Sequence, residues 1–531
     1  MTINNSKPLF RRTLWLAPVF LFSTALIAAN PTVAPPPAAA TKVINQTEMR
    51  KHLEFLSAPE LGGRHSLSPN FAISAKYLAS RLKAYGYKGA GKDGSFYQPF
   101  DIVTARQDPA QAKLKLTIGS ETLEPKWGEF YSATRFSGKA EGGIVFVGYG
   151  VSSPAQKHDD YAGLDVNGKI VLLAPGAPKN VDASKLADTE EDEGAARAKG
   201  AVGVIRIPSA PYVRAMKNPA YKDNVTRFPL NRLGAEKAEA LPTIRLTPEL
   251  ADKLLAQLGL TTDKVNEAAK DGLPLAPKAL NASAEMAVAV TETKATTQNV
   301  VAVLEGRDPK LKGEYINFSA HYDHLNTNAR GEIYPGADDD GSGTTAVLTI
   351  AQAMAVQPPK RSVFIIFHAA EEMGLLGSKY NTDYSPVVPL EKTVVNLNID
   401  MIGRSKAAGD TEKANEALTG PDAIYVIGAD RISKQLHQIH EATNAKTTKL
   451  KFDYTLNDPK HPEQIYYRSD HWNYAKHGVP VIFYFDGIHA DYHRPTDTID
   501  KIDFTKMQKV TRLVYEMGWV LGNMTGSLKK D

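Results

Sequence analysis

Residues His321 to Glu372 contain the side-chain types that bind divalent metal ions. The segment includes HYDHL, PGADDDGSG and VFIIFHAAEEMG, so a histidine, three adjacent aspartates and a pair of glutamates fall within 52 residues. Each group ends an apolar run or lies in the glycine-rich turn between two such runs. Because side chains converge at the carboxyl ends of strands in an open α/β sheet, this pattern predicts a metal site at that edge.

The individual signals differ in strength. His321 and Asp323 share a face of an extended chain, where the carboxylate can orient the imidazole toward a metal, although such pairs also occur by chance. The carboxylates of Asp338, Asp339 and Asp340 repel one another, and a divalent cation would relieve that repulsion. An exposed acidic turn that caps the following helix explains the three aspartates equally well.

Glu371 and Glu372 follow a buried apolar run, where two ionised carboxylates are costly unless they are paired or bound to metal. One glutamate suffices as a ligand, and the other can take a proton from the attacking water. A charged helix start at the rim of the sheet is the alternative. Asp400 ends another apolar run, and His493 lies in a polar loop, ADYHRPTDT. Together these residues meet the needs of a two-metal centre, whose ions stand about 3.5–4 Å apart.

Other motifs are weaker. GLDVNGK at residues 163–169 has the outline of a phosphate-binding loop, but Ile170 stands where Ser or Thr should bind Mg²⁺, so a tight turn is expected. No G-x-S-x-G accompanies the SDHW sequence, which excludes a serine hydrolase of that type and leaves Ser469 as an expected helix cap. Three other histidines near these motifs could support the metal ligands from outside, but packing or solvation is expected for each: His324, His368 and His489.

Strands alternate with helices after about residue 284, and the strands are almost continuously apolar, as strands covered on both faces should be. The predicted fold class is α/β, with a mixed, mostly parallel sheet and helices on both faces. The candidate strands are NVVAVLEG, YINFSAHYD, SVFIIFHAAEE, VVNLNID, AIYVIG and VPVIFYF. Helices are expected over 343–356 and around the stripe Met507, Val510, Val514, Met517 and Leu521.

The earlier part of the chain differs in texture. Residues 108–280 contain short β-type runs between Gly, Pro and Asp turns, which predicts an inserted, mostly β module; residues 43–107 and 281–531 form the catalytic domain. A first helix begins at a capping box formed by Asn45 and Glu48, and a second helix follows Pro69. The loop between them, ELGGRHS, is expected to be a solvated turn that contains Arg64 and His65.

The N-terminus has the three parts of a secretory signal over residues 1–29: a basic start, an apolar run and small residues for cleavage. An uncleaved membrane anchor is the alternative, although the apolar run is short for a spanning helix. Residues 30–42 are a Pro/Ala linker, expected to be extended. We therefore expect a periplasmic or secreted protein with no stable membrane association after signal cleavage.

Composition is that of a globular protein, with 42% hydrophobic and 23% charged residues in 531. The length predicts two structural domains. Without the three basic residues of the signal the net charge falls from +4 to +1, so the charge gives no reason to expect a nucleic-acid partner. The chain has no cysteine, which excludes disulfides and thiolate metal ligands.

Five motifs, HYD, GADDDGSG, AAEEMG, NID and YH-x-x-x-DT, resemble in order and wording those of the dinuclear zinc aminopeptidases. That family also includes glutamate carboxypeptidase and the transferrin receptor. VFVGYGV, DDYAGLDVNGKIVLL and ARAKGAVGVI are similar to the protease-associated domain often inserted in these enzymes. The resemblance covers nearly all of the chain after the linker.

By position, the resemblance implies two Zn²⁺ ions per chain. His321 and Asp400 would hold one ion, Glu372 and His493 would hold the other, and Asp339 would bridge them. No ligand of the family pattern is missing, which disfavours the metal-free, receptor-like branch.

The resemblance also implies roles for the neighbouring residues. Glu371 would be the general base, Asp323 the outer partner of His321, and Tyr492 a group that stabilises the developing oxyanion. The peptide bond between Asp339 and Asp340 is expected to be cis, as it is in relatives.

The resemblance therefore implies an exported metallo-exopeptidase with peptide substrates, in the first place an aminopeptidase. A glutaminyl cyclase-like enzyme and a non-catalytic receptor or binding protein of the same fold are the alternatives. Arg468 or Arg494 in the pocket could bind a terminal carboxylate, but solvent exposure is expected for both.

Overall fold

A computed structural model describes residues 33–182, 186, 189–218, 221, 230–236, 240–328 and 330–531. The predicted signal peptide, residues 1–29, lies outside this part of the chain. Among the residues described, no helix has both the length and the hydrophobicity needed to cross a membrane.

A ten-stranded sheet forms the centre of the molecule. Its strands, numbered in chain order together with those of the smaller sheets, are β1 Lys88–Gly89, β2 Tyr97–Gln107, β11 Leu230–Leu233, β14 Val290–Leu304, β15 Tyr315–His321, β16 Ser362–His368, β17 Thr393–Ile399, β18 Ala423–Ile427, β19 Lys451–Asp453 and β20 Val481–Phe485. The spatial order is β11-β2-β14-β16-β15-β17-β20-β18-β19, and β1 pairs with β14.

The central strands β16, β15, β17 and β20 are parallel, as are β18 and β19 at one edge. The other pairings are antiparallel. Along β16, Val363, Ile365 and Phe367 pack into the main core, whereas Phe364 and Ile366 pack on the opposite face. Because both faces are covered, the strand is apolar at consecutive positions, and the predicted α/β class with a mixed sheet is confirmed.

The helices, numbered in the same way, are α1 Ala38–Val43, α2 Gln46–Leu56, α3 Phe71–Ala84, α4 Asp192–Ala198, α5 Ala210–Met216, α6 Pro248–Leu255, α7 Thr262–Asp271, α8 Gly341–Val356, α9 Leu376–Lys379, α10 Lys434–Lys446, α11 His471–Ala475 and α12 Phe504–Asn523. Helix α8 packs against β15, β16 and β17 on one side and against α1, α2, α3 and α12 on the other. It is therefore buried nearly all round rather than on the single face that its sequence stripe predicts.

The N-terminal segment departs from the prediction of an extended linker over 30–42. Residues 38–43 form α1, Ala40 is fully buried, and the indole N–H of Trp519 donates to the carbonyl oxygen of Ala34. Alanine has the highest helix propensity, and packing against α8 stabilises this short helix. The predicted cap of α2 is confirmed, because the Asn45 side chain accepts from the backbone N–H of Glu48.

A second, eight-stranded sheet lies within residues 113–288. Its strands are β3 Lys113–Ile118, β4 Glu121–Leu123, β5 Phe130–Ser132, β6 Gly138–Phe146, β9 Ile170–Leu173, β10 Gly203–Arg206, β12 Thr243–Leu246 and β13 Lys278–Val288. The pair β7 Ser152–Ser153 and β8 His158–Asp159 stands apart. This sheet has apolar clusters of its own, separate from the main core.

One strand from the inserted stretch joins the large sheet, which the sequence does not predict. Strand β11 belongs by position to the inserted stretch 108–280, yet it pairs with β2 at the edge of the large sheet. As predicted, GLDVNGK is a tight turn: Gly168 adopts a left-handed conformation just before β9.

Candidate metal centre

The predicted ligands meet at the carboxyl edge of the parallel strands. His321 is the last residue of β15, Asp400 directly follows β17, and Glu371 and Glu372 follow the end of β16. His493 lies in the loop after β20. Parallel neighbours end at the same edge, so residues far apart in sequence converge there.

A first cluster surrounds His321. Its Nε2 lies 3.3 Å from Oδ1 of Asp339, 3.4 Å from Oδ1 of Asp400 and 3.9 Å from Oε2 of Glu371. We call the atoms of His321, Asp339 and Asp400 the first site. Glu371 stands beside this site, as its position after β16 predicts.

A second cluster lies on the other side of Asp339. Nε2 of His493 is 3.1 Å from Oδ2 of Asp339 and 3.2 Å from Oε2 of Glu372. We call the atoms of Asp339, Glu372 and His493 the second site. Asp339 thus presents one oxygen to each site, which is the arrangement a bridging ligand requires.

The spacing of these atoms fits metal ions. With bond lengths of about 2.0–2.2 Å, two ligand atoms of a tetrahedral zinc ion stand about 3.3–3.5 Å apart. The pairs above span 3.1 to 3.4 Å within each site. Oδ2 of Asp339 and Oε1 of Glu372 are also buried without a hydrogen-bond partner. The donor set is therefore suited to a pair of divalent cations.

The electrostatic field of the cluster favours positive charge. Burial opposes a charge on His321 and His493, but the surrounding carboxylates outweigh it. They raise the pKa of His321 well above its ordinary value and that of His493 to about 10. Burial raises the pKa of Glu371 well above its ordinary value. A carboxylate becomes a stronger base when the pKa of its acid form is raised, so Glu371 is suited to act as a general base.

The three adjacent aspartates have different partners, and only Asp339 belongs to the sites. Asp338 accepts from the backbone N–H of Gly403 at 2.7 Å and lies 3.2 Å from Nε2 of His489. Asp340 caps α8 through the backbone N–H of Gly343 at 2.8 Å. The structure thus combines the two interpretations that the sequence left open, one metal-facing carboxylate and one helix cap.

Asp323 contacts His321 mainly through its backbone. The ring of His321 bonds to the backbone carbonyl of Asp323, at 3.1 Å from Nδ1, while the carboxylate of Asp323 stands 3.8 Å away. That carboxylate accepts instead from the backbone N–H of Glu371 at 3.1 Å. Asp323 therefore orients both the histidine and the glutamate, and its expected role as the outer partner of His321 stays a prediction.

Arg64 was expected in a solvated turn, and this expectation is wrong. Its guanidinium is buried and donates to the backbone carbonyls of Leu56, Tyr322, Pro335 and Gly336. The last three border the segment between His321 and the aspartates. The guanidinium of Arg64 thus holds both ends of that segment in place. The neighbouring His65 is half-buried.

Asp497, the aspartate of YH-x-x-x-DT, also supports the centre. Its carboxylate accepts from the backbone N–H groups of Asp338 and Asp339 at 3.0 and 3.2 Å. It therefore joins the loop of His493 to the loop of Asp339. Its position in the motif was the only signal in the sequence that could have indicated this contact.

Ser469 was expected to cap α11, but its hydroxyl donates to Oδ2 of Asp400 at 2.7 Å. The expectation is wrong because the serine turns toward the buried ligand instead of the helix N-terminus. His368 packs as predicted, fully buried beside the ring of Tyr474. His489 is buried and bonds to Asp338. His324 faces Glu372 and belongs to the cluster, so the expectation of simple packing is wrong for it.

The backbone around the sites is unusual. The peptide bond between Asp339 and Asp340 is cis, as the resemblance implies. Ala370, Met401 and His493 adopt left-handed conformations with φ between 55 and 59°. A non-glycine residue in this region costs about 1–2 kcal/mol, so three of them beside the ligands indicate that the fold imposes the geometry of the centre.

A cavity opens above the first site. Its lining comprises Tyr492, residues of both sites, and the apolar residues Met401, Ile465, Phe483, Phe485 and Ile488. The ring of Tyr492 stacks on that of His493 with centroids 3.9 Å apart. Arg468 also borders the cavity, where it is exposed and pairs with Glu463 at 3.0 Å, while Arg494 is solvent-exposed as expected.

Comparison with known proteins agrees with the motifs. Residues 299–518 match peptidase family M28. Aminopeptidase YwaD of Bacillus subtilis is 29% identical over 234 residues, which are 42% of this chain and 45% of that protein, so the match spans less than half of that relative. A probable leucine aminopeptidase 2 of Aspergillus oryzae is 27% identical over 419 residues, 78% of this chain and 67% of that protein.

A solved structure supports the fold. The aminopeptidase from Aneurinibacillus sp. strain AM-1 superposes with a TM-score of 0.52 at 22% identity, over 93% of this chain and 97% of that one. At that identity the superposition establishes a shared fold. The fold predicted from the sequence is therefore confirmed.

Proposed function

Residues 299–518 belong to peptidase family M28, and from that premise we propose that this protein is an exported zinc aminopeptidase. It would release N-terminal residues from peptides. The observation that supports this most is the convergence of His321, Asp339, Glu372, Asp400 and His493 beside Glu371 at one edge of the sheet. The names of the relatives, aminopeptidase and leucine aminopeptidase, agree with this activity.

Two zinc ions fit the donor set. His321 and Asp400 would hold one ion, Glu372 and His493 would hold the other, and Asp339, which presents one oxygen to each site, would be shared between them. When bound, such ions lower the pKa of a water molecule and polarise the scissile carbonyl. The ligand atoms are nitrogen and oxygen, and thiolate ligands are excluded because the chain has no cysteine.

Glu371 moves the proton in this proposal. Its Oε2 stands 3.9 Å from Nε2 of His321, next to the first site and open to the cavity. Its carboxylate accepts a proton from the attacking water and passes it to the leaving amine. The backbone contact with Asp323 keeps the glutamate in place during both transfers.

Tyr492 borders the same cavity and is the candidate donor to the developing oxyanion. Burial and the nearby carboxylates raise the pKa of its hydroxyl above the ordinary value, so the group keeps its proton at neutral pH. The apolar residues of the cavity lining favour an apolar side chain on the N-terminal residue of the substrate.

Two further parts of the proposal concern the rest of the chain. We infer that residues 1–29 direct export to the periplasm or the medium, in agreement with their basic start and apolar run. We also infer that the stretch 108–280 is an inserted protease-associated domain, which its own sheet and apolar clusters support.

The test compares a peptide with a free N-terminus and the same peptide with its N-terminus acetylated. Purified protein should release the first amino acid only from the free peptide, and a chelator should stop the release until zinc is restored. Cleavage of both peptides, or cleavage that withstands removal of all metal, would contradict the proposal. An N-terminal glutamine peptide that cyclises instead would identify a cyclase.

A further inference from the structure

His324 is a third histidine at the metal centre, three residues after His321. It is fully buried, and neither ring nitrogen has a hydrogen-bond partner. A buried imidazole without partners is costly unless something else binds its nitrogen atoms. None of the roles assigned above accounts for this residue.

The surroundings of His324 are those of a metal ligand. Its Nδ1 lies 2.8 Å from Oε1 of Glu372 and 3.7 Å from Oδ2 of Asp339. Those two oxygens are also buried without hydrogen-bond partners. Three unpartnered atoms from three residues thus lie close together, and distances of 2.8 and 3.7 Å bracket the separation of about 3.3–3.5 Å between ligands of a tetrahedral zinc ion.

A simple hydrogen bond to Glu372 does not explain the contact. Nδ1 and Oε1 are near enough for one, but the orientation of the imidazole does not direct a donor at that oxygen, and both atoms stay unpartnered. Nε2 of His493 contacts the same two carboxylates, and its ring plane is inclined at 69° to that of His324. Both histidines therefore contact Asp339 and Glu372.

We propose that His324 is a protein ligand of the second zinc ion. This inference rests on the proposed function, because it assumes that zinc binds at both sites. The second site then has four protein ligands: His324, Asp339, Glu372 and His493. The first site has three: His321, Asp339 and Asp400.

The difference in ligand number separates the roles of the two sites. Structural zinc sites are filled by four protein ligands, whereas catalytic sites keep one position for water or substrate. The second site is then held closed by the protein, and the first site, beside Glu371, keeps its free position. Even without His493, whose side chain is 35% exposed, three buried ligands remain at the second site.

A crystal structure of the zinc-loaded wild-type protein, with zinc located by anomalous scattering, tests the inference directly. We expect the second zinc ion within about 2.0–2.3 Å of Nδ1 of His324. A zinc ion more than about 3 Å from that nitrogen, with the ring donating to Glu372, would overturn it.

Zinc binding by variants gives an independent test that does not use activity. Titrations against a competing chelator measure the zinc affinity of the second site. Loss of a residue that only orients a ligand lowers metal affinity by about 10–100-fold, and His324→Ala should lower it by more than that. His324→Asn keeps a polar group near the position of Nδ1 and should lose the ion as well. Retention of the second zinc by His324→Asn, or a smaller loss in His324→Ala, would overturn the assignment.

His440→Ala is the matched control. His440 is also fully buried with both ring nitrogens unpartnered, but it stacks on Phe452 and belongs to neither carboxylate cluster. This variant should keep two zinc ions per chain. If the wild type itself binds no zinc and cleaves no peptide, the proposed function fails; if it does both and the His324 variants keep two zinc ions, only the present inference fails.

Discussion

Two groups of histidines in this protein have opposite electrostatic surroundings. The strand-end histidines lie among carboxylates at the edge of the large sheet: His321, His324 and His493. The aromatic-packed histidines lie against aromatic rings: His368 near Tyr474, His440 on Phe452 and His471 on Phe483.

The pKa values express the contrast. Burial lowers the pKa of His440 and of His471 to about 3, so those rings stay neutral. Burial acts on His321 in the same direction, but Asp400 and Glu371 overcome it and raise its pKa. Burial alone therefore does not distinguish a packing histidine from a metal ligand. The neighbouring carboxylates make the difference, and substitutions in the two groups should have different consequences.

The largest effect is expected at the glutamate pair beside the strand-end histidines, which together with the site carboxylates we call the strand-end cluster. Glu371→Ala should lower kcat by about 10²–10⁴-fold, because it removes the general base, and should leave both zinc ions bound. Activity and zinc content measured on the same preparation check this. Glu372→Ala is the matched variant and should lose zinc. Substantial turnover in zinc-loaded Glu371→Ala would reject the role of the base.

The contrast between the histidine groups is tested by the same substitution, histidine to alanine, in each group. His321→Ala should lose zinc from the first site while the core keeps its packing. His440→Ala should keep zinc but lower the free energy of unfolding by about 2–4 kcal/mol, because it leaves a cavity against Phe452. Zinc analysis and denaturant unfolding of both variants decide the matter. Equal zinc loss in the two would remove the distinction.

Arg64 holds the backbone next to His321 and Asp339, and a lysine at this position should be a poor substitute. Lysine cannot reproduce the fork of donors that reaches four carbonyls, so Arg64→Lys should lower the free energy of unfolding by about 2–4 kcal/mol. Urea unfolding with zinc bound measures this. Unchanged stability would mean that the loops hold their positions without the guanidinium.

The smallest effect is a change in the pH dependence of stability. His440 has a pKa of about 3 in the folded protein and an ordinary value of 6.5, so below pH 6.5 the unfolded chain binds more protons. Its contribution is complete above pH 6.5 and is lost as pH falls towards 3, by at most about 1.4 kcal/mol per pH unit. His440→Phe should therefore have a flatter acid limb in unfolding experiments between pH 6 and pH 4. Parallel curves for both proteins would contradict the neutral, buried ring.

The sequence predicts the strands of the large sheet and the convergence of their carboxyl ends well. The reason is that β15, β16 and β17 are almost continuously apolar. His321 ends β15, Asp400 directly follows β17, and the Glu371–Glu372 pair follows β16. Strand ends of a parallel sheet share an edge, so the order of motifs implies their proximity. The cis bond between Asp339 and Asp340 also follows from the resemblance.

Contacts between distant loops are not predictable in this way. Arg64 and Ser469 lie in polar segments, and only the folded chain brings them against Tyr322 and Asp400. Asp323 contacts His321 through its backbone carbonyl, and no side-chain pattern encodes a backbone contact of this kind. Strand β11 is similar, since pairing with β2 depends on how the inserted stretch returns to the large sheet.

The central claim is that the strand-end cluster is a two-zinc hydrolytic centre. The most direct measurement titrates zinc into metal-free protein and follows both bound zinc and release of an amino acid from a peptide with a free N-terminus. Activity should rise until two zinc ions are bound per chain, while Glu371→Ala binds the same two ions and stays inactive. Full activity without zinc, or wild-type activity in zinc-loaded Glu371→Ala, would contradict the account.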